Sequence, residues 1–169
     1  MSDDAARRQF LDRIAETLQP GATDAALTRV LELALAHFGC AVGTVHDLDP
    51  ASGLLRLRAQ RGIPDMLLPR VQRIPVGKGM AGIAAERREA VQVCNLQTDA
   101  SGVAKPAAKD TRMEGSIAAP MLVGGELRGV LGVAKPTPYE FTAEETALLL
   151  EAAEAVGTAL GTGAREAAP

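Results

Sequence analysis

Residues 115–135, GSIAAPMLVGGELRGVLGVAK, constrain the fold of this chain more than any other stretch. Two apolar runs flank Gly124-Gly125-Glu126, and a Gly-Gly pair is a strong signal for a hairpin turn because glycine adopts positive φ at little cost. Both runs are apolar at successive positions, and strands of that kind are covered on both faces. The sequence therefore predicts a hairpin in the middle of a sheet.

Alternation along the hairpin predicts which side chains share a face. In the first run the two faces are Ile117, Ala119, Met121 and Val123 against Ala118, Pro120 and Leu122. In the second run they are Leu127, Leu131 and Val133 against Val130 and Ala134. Gly129 and Gly132 carry no side-chain bulk, which leaves room for a helix or a ligand. Pro120 cannot donate a ladder hydrogen bond, so it predicts a bulge or an unpaired position.

Length and composition limit the possible classes of protein. A chain of 169 residues is expected to form one domain with a real core. A net charge of −3 and an aromatic fraction of 2% argue against nucleic-acid binding. Two cysteines and two histidines do not supply a disulfide framework or a zinc site. With no signal sequence and no long apolar run, we expect a cytoplasmic protein that does not contact a membrane.

Three amphipathic helices are predicted, at Asp4–Leu18, Asp24–Phe38 and Ala143–Leu160. Thr23 or Asp24 is the expected N-cap of the second helix, and Gly39 is its expected C-terminal stop. Thr142 and Glu145 have the spacing of a capping box at the start of the third. The boundaries that follow are residues 1–22 for an N-terminal helix, 23–161 for the domain and 162–169 for a flexible tail.

Between the helices the sequence predicts strands and short helices. The strands are Cys40–Leu48, Leu54–Gln60 and Val91–Cys94, and the short helices are Pro64–Val71 and Met80–Arg87. With the central hairpin this gives an α+β fold with a mainly antiparallel sheet of five or six strands. We expect the terminal helices on one face, and a pocket on the other face roofed by the short helices and by the long loop Asn95–Glu114.

The expected pocket has several candidate lining residues. Lys105, Lys109 and Arg112 in the loop could clamp an anionic ligand, and Asp99 adds an acceptor. The alternative for these charges is a solvated lid. Cys94, Ser116 and Ala118 lie where the loop meets the sheet, so they complete the predicted ligand-binding set.

Residues 77–82, GKGMAG, have the spacing G-x-G-x-x-G. A dinucleotide site needs a strand before these glycines and an acidic residue about 20 positions later. Residues 74–76 make a poor strand, so we interpret the segment as a tight turn that feeds a helix, with Lys78 as a solvated turn residue. No cofactor and no metal are expected.

The order of elements, together with VGKGMAG (76–82), GSIAAPML (115–122), LRGVLGV (127–133) and FTAEE (141–145), resembles a GAF domain over about residues 24–160. The resemblance implies a non-catalytic regulatory module that binds a small molecule or a signalling partner protein. It also implies a homodimer formed through the terminal helices, here by Phe10, Leu11, Ile14, Leu18 and the apolar stripe of residues 143–160.

Two groups within this family have more specific motifs. Cyclic-nucleotide GAF domains carry an Asn-Lys pair, a Phe and an Asp-Glu pair. This chain keeps Lys135 and Phe141 but has Ala134 in place of the asparagine and shifts the acidic pair to Glu144-Glu145. The motif is incomplete, and Lys135 is expected to form an ion pair with Glu144 or Glu145.

The chain is also similar to the free methionine-(R)-sulfoxide reductases. Their chemistry needs a thiolate nucleophile and a second thiol that resolves the sulfenic acid. Their cysteine set is missing here, because the loop contains none and Met80 or Ala81 follows the glycine turn. Cys94 would be the catalytic residue if this alternative holds, and Cys40 is expected to be a core residue. A third alternative is an interaction scaffold whose pocket is filled by its own side chains.

Overall fold

A computed structural model describes residues 3–101, 103 and 109–167, with side chains described up to residue 161. The elements are α1 (Asp3–Leu18), α2 (Asp24–Phe38), β1 (Val42–Asp49), β2 (Leu54–Arg61), α3 (Leu68–Val71), β3 (Arg73–Pro75), α4 (Gly79–Arg87), β4 (Val91–Val93), β5 (Ser116–Val123), β6 (Glu126–Ala134) and α5 (Ala143–Ala167). A 3-10 turn, Asp65–Leu67, leads into α3. The last helix continues past Leu160, where the sequence pattern ends, into the segment predicted as a tail.

The six strands form one antiparallel sheet in the order β3-β2-β1-β6-β5-β4. The β5–β6 hairpin therefore lies inside the sheet, with β6 between β1 and β5. Gly124 and Gly125 both have positive φ, 57° and 80°, as a two-residue type I′ turn requires. The α+β fold and the antiparallel sheet predicted from the sequence are confirmed. Strand β3 was not predicted, because its three residues contain Pro75.

Helices α1, α2 and α5 cover one face of the sheet with the main core. Their largest buried side chains include Ile14, Leu27, Leu31 and Leu149, all at most 1% exposed. An exposed ion pair between Arg7 and Glu151 also joins α1 to α5. None of the helices in the described part of the chain is long and apolar enough to cross a bilayer.

The side chains predicted to form a dimer interface are largely buried within one chain. Phe10, Ile14 and Leu18 of α1 are at most 8% exposed, because they pack against α2 and α5 of the same chain. The stripe of α5 (Leu148, Leu149, Ala152, Val156 and Leu160) is buried in the same cluster. Leu11 is half-buried against that core. These apolar side chains therefore have an intramolecular partner in α2 and α5.

Alternation in β5 is as predicted for its central residues. Ile117, Ala119 and Met121 belong to the helix-covered core, whereas Ala118 packs on the other face with α4. The prediction is wrong for Leu127, which lies with Val130 on the face opposite the helices. The cause is a register shift, since Met121 pairs with Gly129 but Leu122 pairs with Leu127.

Pro120 lies beside this irregularity. It pairs with Val130 of β6, and the register shift follows directly after Met121. On the other side of β5, strand β4 pairs only with residues 116–118. At Pro120 the strand therefore has a neighbour on one side, which is how a sheet tolerates a residue without an N–H.

Candidate functional site

A cavity of about 590 Å³ lies on the sheet face that the terminal helices leave open. Its floor includes Thr44 of β1, Ser116 and Ala118 of β5 and Gly132 of β6. The volume is typical of pockets that bind small molecules. Apolar side chains from the crossover elements complete the walls: Ile63, Leu67, Val71, Ile74, Met80 and Leu96.

The glycine turn places α4 at one end of this cavity. Gly77 has φ 93° and donates its N–H to the carbonyl oxygen of Gly82 at 2.7 Å. A Cβ on Gly82 would lie 2.4 Å from the carbonyl oxygen of Pro75, so only glycine permits this approach. The turn feeds a helix, as predicted. Lys78 is exposed, as predicted, but it also lines the cavity.

The described part of the 95–114 segment folds back on itself beside the cavity. The Gln97 side-chain amide donates to the carbonyl oxygens of Lys109 at 2.9 Å and Met113 at 2.8 Å. Leu96 is buried, and Met113 packs against it and against the α3 region. An ion pair of 3.5 Å between Arg70 and Asp110 connects α3 to this segment. The segment therefore forms one wall of the cavity.

His46 holds α3 against the sheet. Its side chain is buried, and its Nε2 lies 2.8 Å from the carbonyl oxygen of Val71. A carbonyl only accepts, so Nε2 carries the proton and donates. Nδ1 is buried without a partner among the described residues. His46 lies within β1, away from the hairpin turn that follows the strand.

Burial also determines the protonation of this imidazole. It lowers the pKa of His46, while the hydrogen bond to Val71 and the charge of Asp47 act in the opposite direction. Desolvation penalises the charged form of a histidine. The neutral imidazole is therefore the form that the fold favours.

Basic side chains dominate the charge at the cavity. Arg70, Arg73 and Lys78 all line it, and none of the described lining residues is acidic. Neither Arg70 nor Arg73 was among the binding residues predicted from the sequence. The sequence could have indicated both residues, because they lie in or next to a predicted short helix of the crossover, and that helix was expected to roof the pocket.

The predicted ligand-binding residues separate into three groups. Ser116 and Ala118 line the cavity, whereas Cys94, Asp99, Lys109 and Arg112 do not. Lys105 lies outside the described residues.

The loop residues that do not line the cavity have local roles instead. The Asp99 carboxylate accepts a hydrogen bond from the Ser101 hydroxyl at 2.6 Å, and Lys109 Nζ donates to the carbonyl oxygen of Asp99 at 3.2 Å. Arg112 has φ 65° and does not line the cavity. Lys109 and Arg112, two of the three residues of the predicted anion clamp, therefore lie outside the lining of this cavity.

Neither cysteine lines the cavity. Cys94 is exposed, and Cys40 is partly buried after the end of α2. Burial raises the pKa of the Cys40 thiol to about 11, with Lys135 acting in the opposite direction. A thiol with that pKa is protonated near neutral pH and is a poor nucleophile. The described residues also contain no cluster of three or more metal-ligating side chains.

Lys135 does not form the predicted ion pair. Its Nζ lies 3.9 Å from the centroid of the Tyr139 ring, which is a cation–π geometry. Glu145 accepts instead from the Tyr139 hydroxyl at 2.6 Å and from the Thr142 N–H at 3.0 Å. Thr142 Oγ1 accepts in turn from the Glu145 N–H, which completes the predicted capping box.

Comparisons with known proteins agree with this architecture. The GAF domain of a phosphoenolpyruvate-protein phosphotransferase from Coxiella burnetii superposes with a TM-score of 0.84 at 19% identity, covering 99% of this chain and 100% of that one. The corresponding domain from Acinetobacter gives 0.80 at 16% identity, covering 99% of both chains. The free methionine-R-sulfoxide reductase from Neisseria meningitidis, solved with its substrate, gives 0.79 at 22% identity, covering 99% of this chain and 96% of that one.

At these identities the likeness shows a shared fold. No curated protein matches the sequence significantly. A family model for the GAF domain matches residues 22–161, which include every strand and both sides of the cavity. The chain therefore belongs to the GAF domain family.

Proposed function

We propose that this GAF domain is a non-catalytic regulatory module that binds a small molecule in the cavity between the sheet and the crossover elements. The observation that carries the proposal is the cavity itself, with a volume of about 590 Å³. Apolar walls with a few polar groups are typical of small-molecule sites. A pocket filled by its own side chains, as in the scaffold alternative, would not leave this volume.

A thiol-dependent sulfoxide reductase is the second candidate, and the Neisseria meningitidis reductase with its substrate is the reason to keep it. Two observations weigh against it. Neither cysteine lines the cavity, and the thiol of Cys40 is held protonated by burial. Turnover of free methionine sulfoxide with a thiol reductant, lost in Cys94→Ser, would favour the reductase over the regulatory module.

The experiment that tests the proposal is native mass spectrometry of protein purified from cells. We expect a retained small molecule in the wild-type protein. Gly132→Leu places a side chain in the cavity and should abolish retention, whereas Gly132→Ala adds one methyl group and should retain it. A wild-type protein that retains nothing, and that binds no member of a small-molecule library, would contradict the proposal.

We also propose that the module acts as a homodimer. The apolar stripes of α1 and α5 are buried within one chain, so a dimer must use other surfaces. Light scattering after size-exclusion chromatography at tens of micromolar tests this, because association depends on concentration. A mass of 17.5 kDa, that of one chain, would count against it.

A further inference from the structure

We propose that the ligand of the cavity has an apolar body and an anionic group, a carboxylate or a phosphate, and that Arg73 and Lys78 bind the anionic group. The inference rests on the proposed function, because it names the class of ligand for the same cavity. Three independent features support it: the apolar walls, the sign of the charge at the cavity, and the lack of ion pairs to these two cations within the described part of the chain.

The apolar walls favour a ligand with a hydrocarbon body. Ile63, Leu67, Val71, Ile74 and Met80 surround the space above the sheet, and Gly132 leaves its floor open. The polar side chains on the floor are Thr44 and Ser116, which carry no charge. A strongly polar molecule would lose its hydration here with few groups to replace it.

The charge at the cavity is of one sign. Arg70, Arg73 and Lys78 are cationic, and the described lining residues include no carboxylate. Arg70 differs from the other two, since Asp110 neutralises it at 3.5 Å. Like charges gathered around one opening repel each other, and a bound anion would relieve that repulsion.

Arg73 and Lys78 form no ion pair with a carboxylate of the described residues. Glu86 approaches the same turn, where its Oε2 would lie 2.7 Å from a Cβ on Gly77, but it is not paired with Lys78. Lys78 also makes no side-chain cap to α4. Elsewhere on the same sheet the arginines are paired, as Arg56 and Arg58 are with Asp47. The two cations at the cavity are thus available to an external anion.

The backbone brings the two cations to the same opening. Arg73 begins β3 and Lys78 ends the turn that follows it, and both residues are exposed and line the cavity. Gly79 and Ala81, in the first turn of α4, line the cavity next to Lys78. The positive end of a helix dipole adds to the attraction of the two side chains for an anion.

The test uses full-length protein and four probes with the same eight-carbon chain: octanol, octanoate, octyl phosphate and octylamine, measured by calorimetry at low salt. Octanol reports whether the cavity accepts an apolar body at all. We expect octanoate or octyl phosphate to bind at least about tenfold more tightly than octanol, and octylamine more weakly. The comparison of the two anions distinguishes a carboxylate from a phosphate as the preferred group.

The variants Arg73→Gln and Lys78→Met remove one cation each. We expect each to reduce the preference for the anion over octanol by about tenfold while octanol binding stays the same. Arg13→Gln on α1 makes the same change of charge in an exposed residue on the opposite side of the sheet, and it should leave the preference intact.

The outcomes separate the inference from the proposed function. Octanol binding that is equal to that of both anions would overturn the inference and leave the cavity as a ligand site. Failure of all four probes would overturn the inference, and the search for a retained ligand would then decide the proposed function. An anion preference that survives in both cavity variants would also overturn the assignment to Arg73 and Lys78.

Discussion

His46 is a polar residue that the fold holds in one protonation state. It is 1% exposed, it donates from Nε2 to Val71, and Nδ1 has no partner among the described residues. Protonation would place a charge in a buried site and add a second donor without an acceptor. The same hydrogen bond connects strand β1 to α3 in the cavity wall. The protonation state of the His46 imidazole is therefore expected to affect both the stability of the fold and the contact between β1 and α3 in the cavity wall.

This arrangement predicts a pH dependence of stability. Burial lowers the pKa of His46 below its ordinary value of 6.5. The contribution of the neutral imidazole is therefore fully present above that value and is lost as the pH falls below it. We expect the free energy of unfolding, measured in urea, to fall between about pH 7 and about pH 5. The fall should be much smaller in His46→Leu.

His37 provides the control, since the chain has two histidines. It is exposed and stacks on Phe10 with 4.4 Å between the ring centroids. Its pKa is also lowered by partial burial, against the opposing effect of Glu145. The His37→Gln variant should still show most of the decrease in the free energy of unfolding at low pH, because the imidazole of His37 is better hydrated than that of His46. If the free energy of unfolding decreases with falling pH to the same extent in His46→Leu as in the wild type, other groups cause the decrease.

Among the elements, strand β6 contains two glycines, Gly129 and Gly132, that have different structural roles. A Cβ at Gly129 would lie 2.1 Å from the carbonyl oxygen of His46 and 3.1 Å from the Cα of Asp47. A Cβ at Gly132 would meet nothing closer than Thr44 Oγ1, at 3.5 Å. Gly129 thus allows β1 and β6 to approach, and Gly132 leaves space in the cavity.

The two alanine variants should therefore differ. Gly129→Ala forces two backbones apart and should lower the free energy of unfolding by about 1–3 kcal/mol. Gly132→Ala should change it by less than about 0.5 kcal/mol. Chemical denaturation of both variants measures the difference. Equal destabilisation by the two would contradict the assignment of separate roles.

The same strand shows what could be predicted from the sequence. The Gly-Gly turn and the apolar runs predicted the hairpin, because local conformation and double burial leave a direct pattern. Leu127 was assigned to the wrong face, because a register shift depends on the partner strand and has no signal in one strand alone. The position of Arg73 and Lys78 at the same cavity was not predicted, for a similar reason. Only the packing of β3 and α4 brings these two residues to one opening. Lys135 was expected to reach a carboxylate, but its ammonium group lies over the ring of Tyr139.

On the scale of the whole molecule, α1 is part of the domain. This helix lies outside the residues that match the family model. Its residue Ile14 is nevertheless fully buried in the core that α1 shares with α2 and α5. The sequence pattern predicted the correct apolar stripe for α1 but not its partner. An apolar stripe fits a second copy as well as the same chain, and only the folded structure distinguishes them.

Ile14→Ala tests this role. Loss of the buried side chain should lower the free energy of unfolding by about 2–5 kcal/mol. Leu11→Ala, at a half-buried position, should cost less. Because the contact is intramolecular, the effect should not change with protein concentration over a roughly hundredfold range. A thermal midpoint that rises with concentration in the wild type, but not in Ile14→Ala, would indicate that α1 also contacts a second chain.

The edges of the sheet have a consequence for its behaviour at high concentration. Strands β3 and β4, at the two ends, have three residues each, and β3 includes Pro75. Where β4 stops, β5 presents Pro120, which has no N–H to offer a further strand. Each border thus gives an incoming strand only a short or interrupted template. Short edge strands and prolines of this kind disfavour edge-to-edge pairing of sheets, so we expect little association through the sheet edges at high protein concentration.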